Sequence, residues 1–115
     1  MNDCIFCRIA KGEIPCNKVF EDEELLAFRD VHPKAPMHLL IIPKRHIASL
    51  FEATADDALL LGKMLALAPQ VARKEGSTEG FRTIINTGRV GGQEVYHLHL
   101  HVLGGSQSLP AMLRY

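Results

Sequence analysis

The stretch His97-Leu98-His99-Leu100-His101-Val102 constrains the fold more than any other part of the chain. Histidine alternates with an aliphatic residue, and along an extended strand residues i, i+2 and i+4 line one face. His97, His99 and His101 therefore share a face, with Leu98, Leu100 and Val102 behind them. A strand is better supplied by Val, Ile or Thr, and three stacked imidazoles would repel one another if charged. Half of the six histidines of the chain sit in this arrangement, so chemistry is a better account of it than structure.

The rest of the pattern supplies a sheet and a helix to hold such a strand. "IFCRIAKGE" predicts a short helix, followed by a turn at "EIPCN". "KVFEDEELLAFRD" predicts two strands in a hairpin, joined by an acidic turn from Glu21 to Glu24. "HPKAP" is a turn, and "MHLLIIP" is a short apolar run that predicts a buried strand closed by Pro43. "HIASLFEA" predicts one or two helical turns. The main helix is expected to start at Thr54, an N-cap, with Asp56 and Asp57 in its first turn. Leu61, Leu65, Ala68 and Ala72 form one apolar row, and Leu60, Met64, Leu67 and Val71 the next. Arg73, Lys74 and Gly76 mark its end, while Pro69 is expected to kink it or split it in two. "FRTIINTG" and "YHLHLHVL" predict two further strands, with "NTGRVGG" a hairpin-like connection. The expectation is one α+β domain over residues 1–115, with five mostly antiparallel strands and one long helix on one face.

A formal net charge of zero removes the electrostatic footprint expected of a nucleic-acid or anionic-membrane binder. No run approaches a membrane span, and "MNDCIFCRIAKGEIP" lacks the pattern of a signal peptide. A cytoplasmic protein is expected. Three cysteines, Cys4, Cys7 and Cys16, argue against a disulfide framework in that setting.

Two chemistries suit the three histidines. Neutral imidazoles can bind a metal. Alternatively, one can act as nucleophile or acid/base while its neighbours tune it, since histidine titrates near neutral pH. Gly91 and Gly92 favour the second, because backbone N–H groups without side chains can approach an anion closely. Cys4 and Cys7 form a C-x-x-C pair with no strand before it to suggest a redox unit; a tetrahedral metal would need two further ligands, for which His46 and one of the three strand histidines are candidates. Cys16 is expected to be a structural thiol, and His32 and His38 carry no pattern.

With these residues in view, the chain resembles the histidine triad (HIT) family, in its branch of Hint-type purine nucleoside phosphoramidases. "HLHLHVL" fits the His-x-His-x-His-x-x signature, and "CIFCRIAKGEIP", "AFRDVHPKAPMHLLIIPKRHI" and "INTGRVGGQEVYHLHLHVLGG" look like family segments in family order. The resemblance implies a homodimer with a continuous ten-stranded sheet. It implies hydrolysis of a purine nucleoside 5′-monophosphoramidate, with His99 as nucleophile through a nucleotidyl-histidine intermediate, His101 meeting the phosphate or leaving group, and His97 in support. Asp30 would bind the ribose. Phe6, Ile9, Phe28 and Val31 would hold the base, and Asn86, Gly92, Gln93, Glu94 and Val95 would border the phosphate. A structural zinc on Cys4, Cys7, His46 and His97 is implied, with no cofactor needed for the chemistry; without zinc, His46 and His97 would hydrogen-bond each other. Glu94 departs from the serine or threonine of many relatives, which leaves room for a carboxylate to meet a cationic leaving group. A dinucleotide polyphosphate hydrolase, a nucleotide-binding scaffold and a zinc hydrolase using the triad as its catalytic metal site are the rival readings.

Overall fold

Burial on both faces of one sheet organises the protein, described here from a computed structural model over residues 3–113. Helix α1 (Ile5–Ala10) precedes strands β1 (Lys18–Glu21), β2 (Leu25–Arg29) and β3 (Met37–Pro43). A 3₁₀ turn (Ala55–Asp57) leads into helix α2 (Ala58–Lys74), followed by β4 (Arg82–Ile84) and β5 (Leu100–Gly104). The strands order as β1-β2-β3-β5-β4, and every neighbouring pair is antiparallel. The expected α+β fold, with five antiparallel strands and one long helix, is the fold observed.

The two-residue period sorts side chains between two apolar clusters. Ala27, Leu39, Ile41, Leu100 and Val102 face α2, where Leu60, Met64, Leu67, Ala68, Val71 and Ala72 cover them. Leu26, Phe28, Leu40 and Ile42 face the other way and pack with Phe6 of α1. All seven residues of β3 are buried, which is why "MHLLIIP" is a continuous apolar run rather than an alternating one. Each fully buried aliphatic side chain here contributes roughly 1.5–3 kcal/mol.

Four local expectations are corrected. Pro69 lies inside one uninterrupted helix; the hydrogen bond it cannot donate would have gone to the carbonyl of Leu65, a residue 54% exposed, so water can take that acceptor. For the same reason Leu65 does not belong to the buried stripe. Thr54 does act as a cap, in a capping box with Asp57, but it caps the 3₁₀ turn that introduces α2. "HIASLFEA" forms a single turn, closed by Glu52 N–H to Ser49 C=O and Ala53 N–H to Leu50 C=O, rather than a helix. The ladder of β5 begins only at Leu100, so His97, at the end of a bend, and His99 both precede it. There the Leu98 N–H donates to the Ile47 carbonyl instead (2.7 Å), beyond the end of β3.

Candidate active site and metal-ligand cluster

The alternation survives this early end of the ladder. Leu98, Leu100 and Val102 sit in the core under α2, and the three histidines occupy the opposite side, where the Phe6 ring stands edge-on to both His97 (5.9 Å) and His99 (5.2 Å). Each histidine meets a different environment.

His97 is fully buried. Its Nε2 lies 2.7 Å from the carbonyl of Pro43, which only an N–H can face, so the ring's lone pair is on Nδ1. Nδ1 lies 3.2 Å from Cys4 Sγ, 3.4 Å from Cys7 Sγ and 3.2 Å from His46 Nδ1, while Cys7 Sγ is 3.3 Å from His46 Nδ1. Burial, with His46 and His99 adding and the Pro43 carbonyl opposing, holds His97 below its ordinary pKa. Burial likewise pushes the Cys4 thiol up. Four donors converging within 4.8 Å form a cluster that could hold a metal ion. A tetrahedral zinc at about 2.3 Å from sulfur and 2.0 Å from nitrogen would place unlike donors about 3.5 Å apart, close to the separations found. The Pro43 carbonyl behind His97 is the outer contact that fixes a ligating histidine's tautomer.

His99 donates from Nδ1 to the backbone carbonyl of His97 (2.7 Å), which leaves the lone pair on Nε2. His101 sits across from Leu40 on β3, with Nδ1 2.9 Å from Nε2 of His38. His38 was without a pattern in the sequence, and it proves to be a buried member of the site. Its Nδ1 accepts the Lys34 N–H (2.9 Å), so its proton is on Nε2 and is donated to His101. The lone pair of His101 is then on Nδ1 and its proton on Nε2. Burial, then His99 and His38, push His101 down to about 4 against the opposing pull of Asp30; burial also lowers His38. Asp30 Oδ2, 3.4 Å from His38 Nε2, completes a group of three possible metal donors. The Lys34 contact argues against that use, because His38 Nε2 carries the proton.

A cleft of about 620 Å³ opens beside these residues. Phe6, Ile9, Phe28, Val31, Asp30, Asn86, Gly92, Glu94, Val95, His99 and His101 line it, as do His38, Lys34 and Cys16. Gln93 does not. Its carboxamide donates to the carbonyls of Ala48 and Val95 and accepts the Gly88 N–H, and its own N–H goes to Gly88 C=O. It ties down the "NTGRVGG" loop. Asn86 also serves that loop, donating to Gly91 C=O (2.8 Å). The N–H groups of Gly91 and Gly92 are spent on Thr87 and Arg89; those of Glu94 and Val95 have no acceptor among the described residues and are available to an anion. Asp30 Oδ1 accepts the His32 N–H, and Asp30 borders the cleft.

Residues 3–114 match the family model described as "Scavenger mRNA decapping enzyme C-term binding". The chain is 53% identical over 104 residues to Protein HitA of Neisseria gonorrhoeae, covering 90% of this chain and 97% of that one. It belongs to the histidine triad family. An uncharacterised HIT-like protein of Synechococcus elongatus is 57% identical, with 90% of each chain covered. Among solved structures, a HIT family hydrolase from Legionella pneumophila is 55% identical at a TM-score of 0.88 (91% of this chain, 95% of that one), and a histidine triad protein from Clostridium difficile is 44% identical at 0.92 (98% of each). The similarity to HIT hydrolases supports hydrolase activity. No helix among the described residues is long and apolar enough to cross a membrane.

Proposed function

We propose that this HIT protein hydrolyses purine nucleoside 5′-monophosphoramidates at the P–N bond. The observation that carries the reading is the hydrogen bond from His99 Nδ1–H to the His97 carbonyl, which leaves Nε2 as a nucleophile at the cleft. The base packs against Phe6, Ile9, Phe28 and Val31, and the ribose hydroxyls meet Asp30. The phosphoryl oxygens lie against the Glu94 and Val95 N–H groups, beside Gly92 and Asn86. His99 Nε2 attacks phosphorus and the P–N bond breaks. His101, holding a proton on Nε2, hydrogen-bonds the phosphoryl oxygens or gives that proton to the departing amine. Water then attacks phosphorus, the N–P bond to His99 breaks, and the nucleoside monophosphate leaves.

Cys4, Cys7, His46 and His97 would hold a structural zinc, whose full set of protein ligands leaves no open position for water. The active species is proposed to be a homodimer joined through a continuous sheet, working in the cytoplasm. The decisive experiment is intact-protein mass after a short acid-free quench with an adenosine phosphoramidate. Wild type should gain one nucleotidyl group transiently and His99→Ala should not; turnover without an adduct would refute covalent catalysis. Running a dinucleotide polyphosphate in parallel identifies a P–O–P hydrolase by its greater kcat/KM, and light scattering tests the dimer.

A further inference from the structure

The metal-ligand cluster and the cleft share one six-residue helix. Cys7 and Phe6 are adjacent on α1: the Cys7 thiol faces His46 and His97, while the Phe6 ring packs edge-on against Phe28 (5.7 Å) and His99 (5.2 Å). Phe6 and Ile9 together form part of the cleft wall. A helix this short does not persist in water by itself. The backbone hydrogen bonds of residues 5–13 close within residues 4–13, and the N-cap is Cys4, whose sulfur accepts the Cys7 N–H (3.3 Å). Cys4 is thus both the cap of α1 and a cluster donor. Among the described residues, the contacts that fix α1 to the sheet are made by side chains, with the thiols towards the cluster and Phe6 and Ile9 towards the cleft. His97 makes a second link, since its ring is in the cluster and its carbonyl holds the proton of His99.

We infer that metal and nucleotide bind cooperatively, coupled through α1 and His97. A base packed on Phe6 and Ile9 holds Cys4 and Cys7 in their converged positions, and a metal at the cluster holds the wall on which the base packs. This rests on the nucleotide reading of the cleft. Binding linkage is reciprocal, so each ligand strengthens the other by the same factor.

The test is zinc release from zinc-loaded protein into excess chromogenic chelator, with and without saturating AMP. AMP binding to zinc-loaded and zinc-stripped protein is measured by titration calorimetry alongside. AMP should slow release about tenfold, and stripped protein should bind AMP about tenfold more weakly, within the usual range of coupling between sites. Adenosine, which has no phosphate to chelate zinc, should protect as well at saturation. Phe6→Ala retains all four donors and should release zinc at a rate indifferent to AMP. Equal release rates in wild type with AMP demonstrably bound would overturn the coupling alone. Protein that takes up no zinc overturns it as well, and zinc-loaded protein that binds no AMP refutes the nucleotide reading itself.

Discussion

Protonating His101 should destabilise the protein by an amount the structure sets. Burial, with His99 and His38 adding and Asp30 opposing, holds its imidazole at about 4 in place of 6.5. The unfolded chain takes up this proton as the pH drops through 6.5, whereas the folded chain resists until about 4. Stability from this group is therefore complete above pH 6.5 and is lost progressively as pH falls from 6.5 to 4. With these two values the loss between pH 7 and pH 5 is about 2 kcal/mol. His101→Gln removes the titrating group while keeping a polar side chain of similar size. Urea denaturation of both proteins at pH 7 and pH 5, with metal occupancy matched, gives the difference directly. His38 and His97 are also held down by burial, but they remain in both proteins and cancel to first order. Wild type should lose about 2 kcal/mol more than the variant. Equal losses would show that His101 titrates normally and refute a half-buried, neutral donor at this position.

His38→Ala deprives His101 Nδ1 of its donor, so kcat should fall about a hundredfold with little change in KM; steady-state kinetics on a variant that still melts cooperatively would contradict the relay if the loss were below threefold. Gly104→Ala would drive a methyl group into Ser77 Oγ beneath the end of β5, and urea denaturation should report a loss of about 1–3 kcal/mol. Thr54→Ala removes the acceptor for the Asp56 N–H and should cost about 1 kcal/mol by the same assay. Glu94 lines the cleft, so Glu94→Ser should lower the ratio of kcat/KM for cationic over neutral amine leaving groups; an unchanged ratio removes Glu94 from substrate choice.

Most of the sheet was legible because burial on one or both faces writes itself into the residue period. The β1–β2 hairpin, the buried run of β3 and the His/Leu alternation all follow that rule. Pro69 misled because the cost of a missing N–H depends on whether water reaches the carbonyl it leaves unpaired, which a linear pattern does not encode. Cys4 and Cys7 stand out as a C-x-x-C pair, but His46 and His97 lie far from them in sequence; spacing offered His46 and a strand histidine only as candidates, and the family resemblance chose His97 among the three. His38 escaped for a different reason. In "MHLLIIP" it falls on the same side as Leu40 and Ile42, the side to which His101 also belongs, but in a strand buried on both faces the period carries no contrast. The loop-tying role of Gln93 was not legible, because a loop residue's hydrogen bonds are set by the turn around it, here the carbonyls of Ala48 and Val95.

Three imidazoles in a row would repel one another if all were charged, and the hydrogen bonds explain how the three differ. A carbonyl fixes the proton of His97 on Nε2, another carbonyl fixes that of His99 on Nδ1, and the His38 proton leaves His101 with its own on Nε2. The lone pairs consequently point to different places: His97 Nδ1 into the thiol cluster, His99 Nε2 away from its carbonyl anchor, and His101 Nδ1 into His38. Three ligands of one metal must converge within a few ångströms, and these do not, so the triad cannot serve as a single catalytic metal site without breaking the contacts of His97 and His101. The same divergence is what a covalent mechanism needs. In the proposed mechanism one histidine would join a structural cluster, one would keep a nucleophilic lone pair and one would present a proton, with alternate residues of a single segment placing all three on the same side.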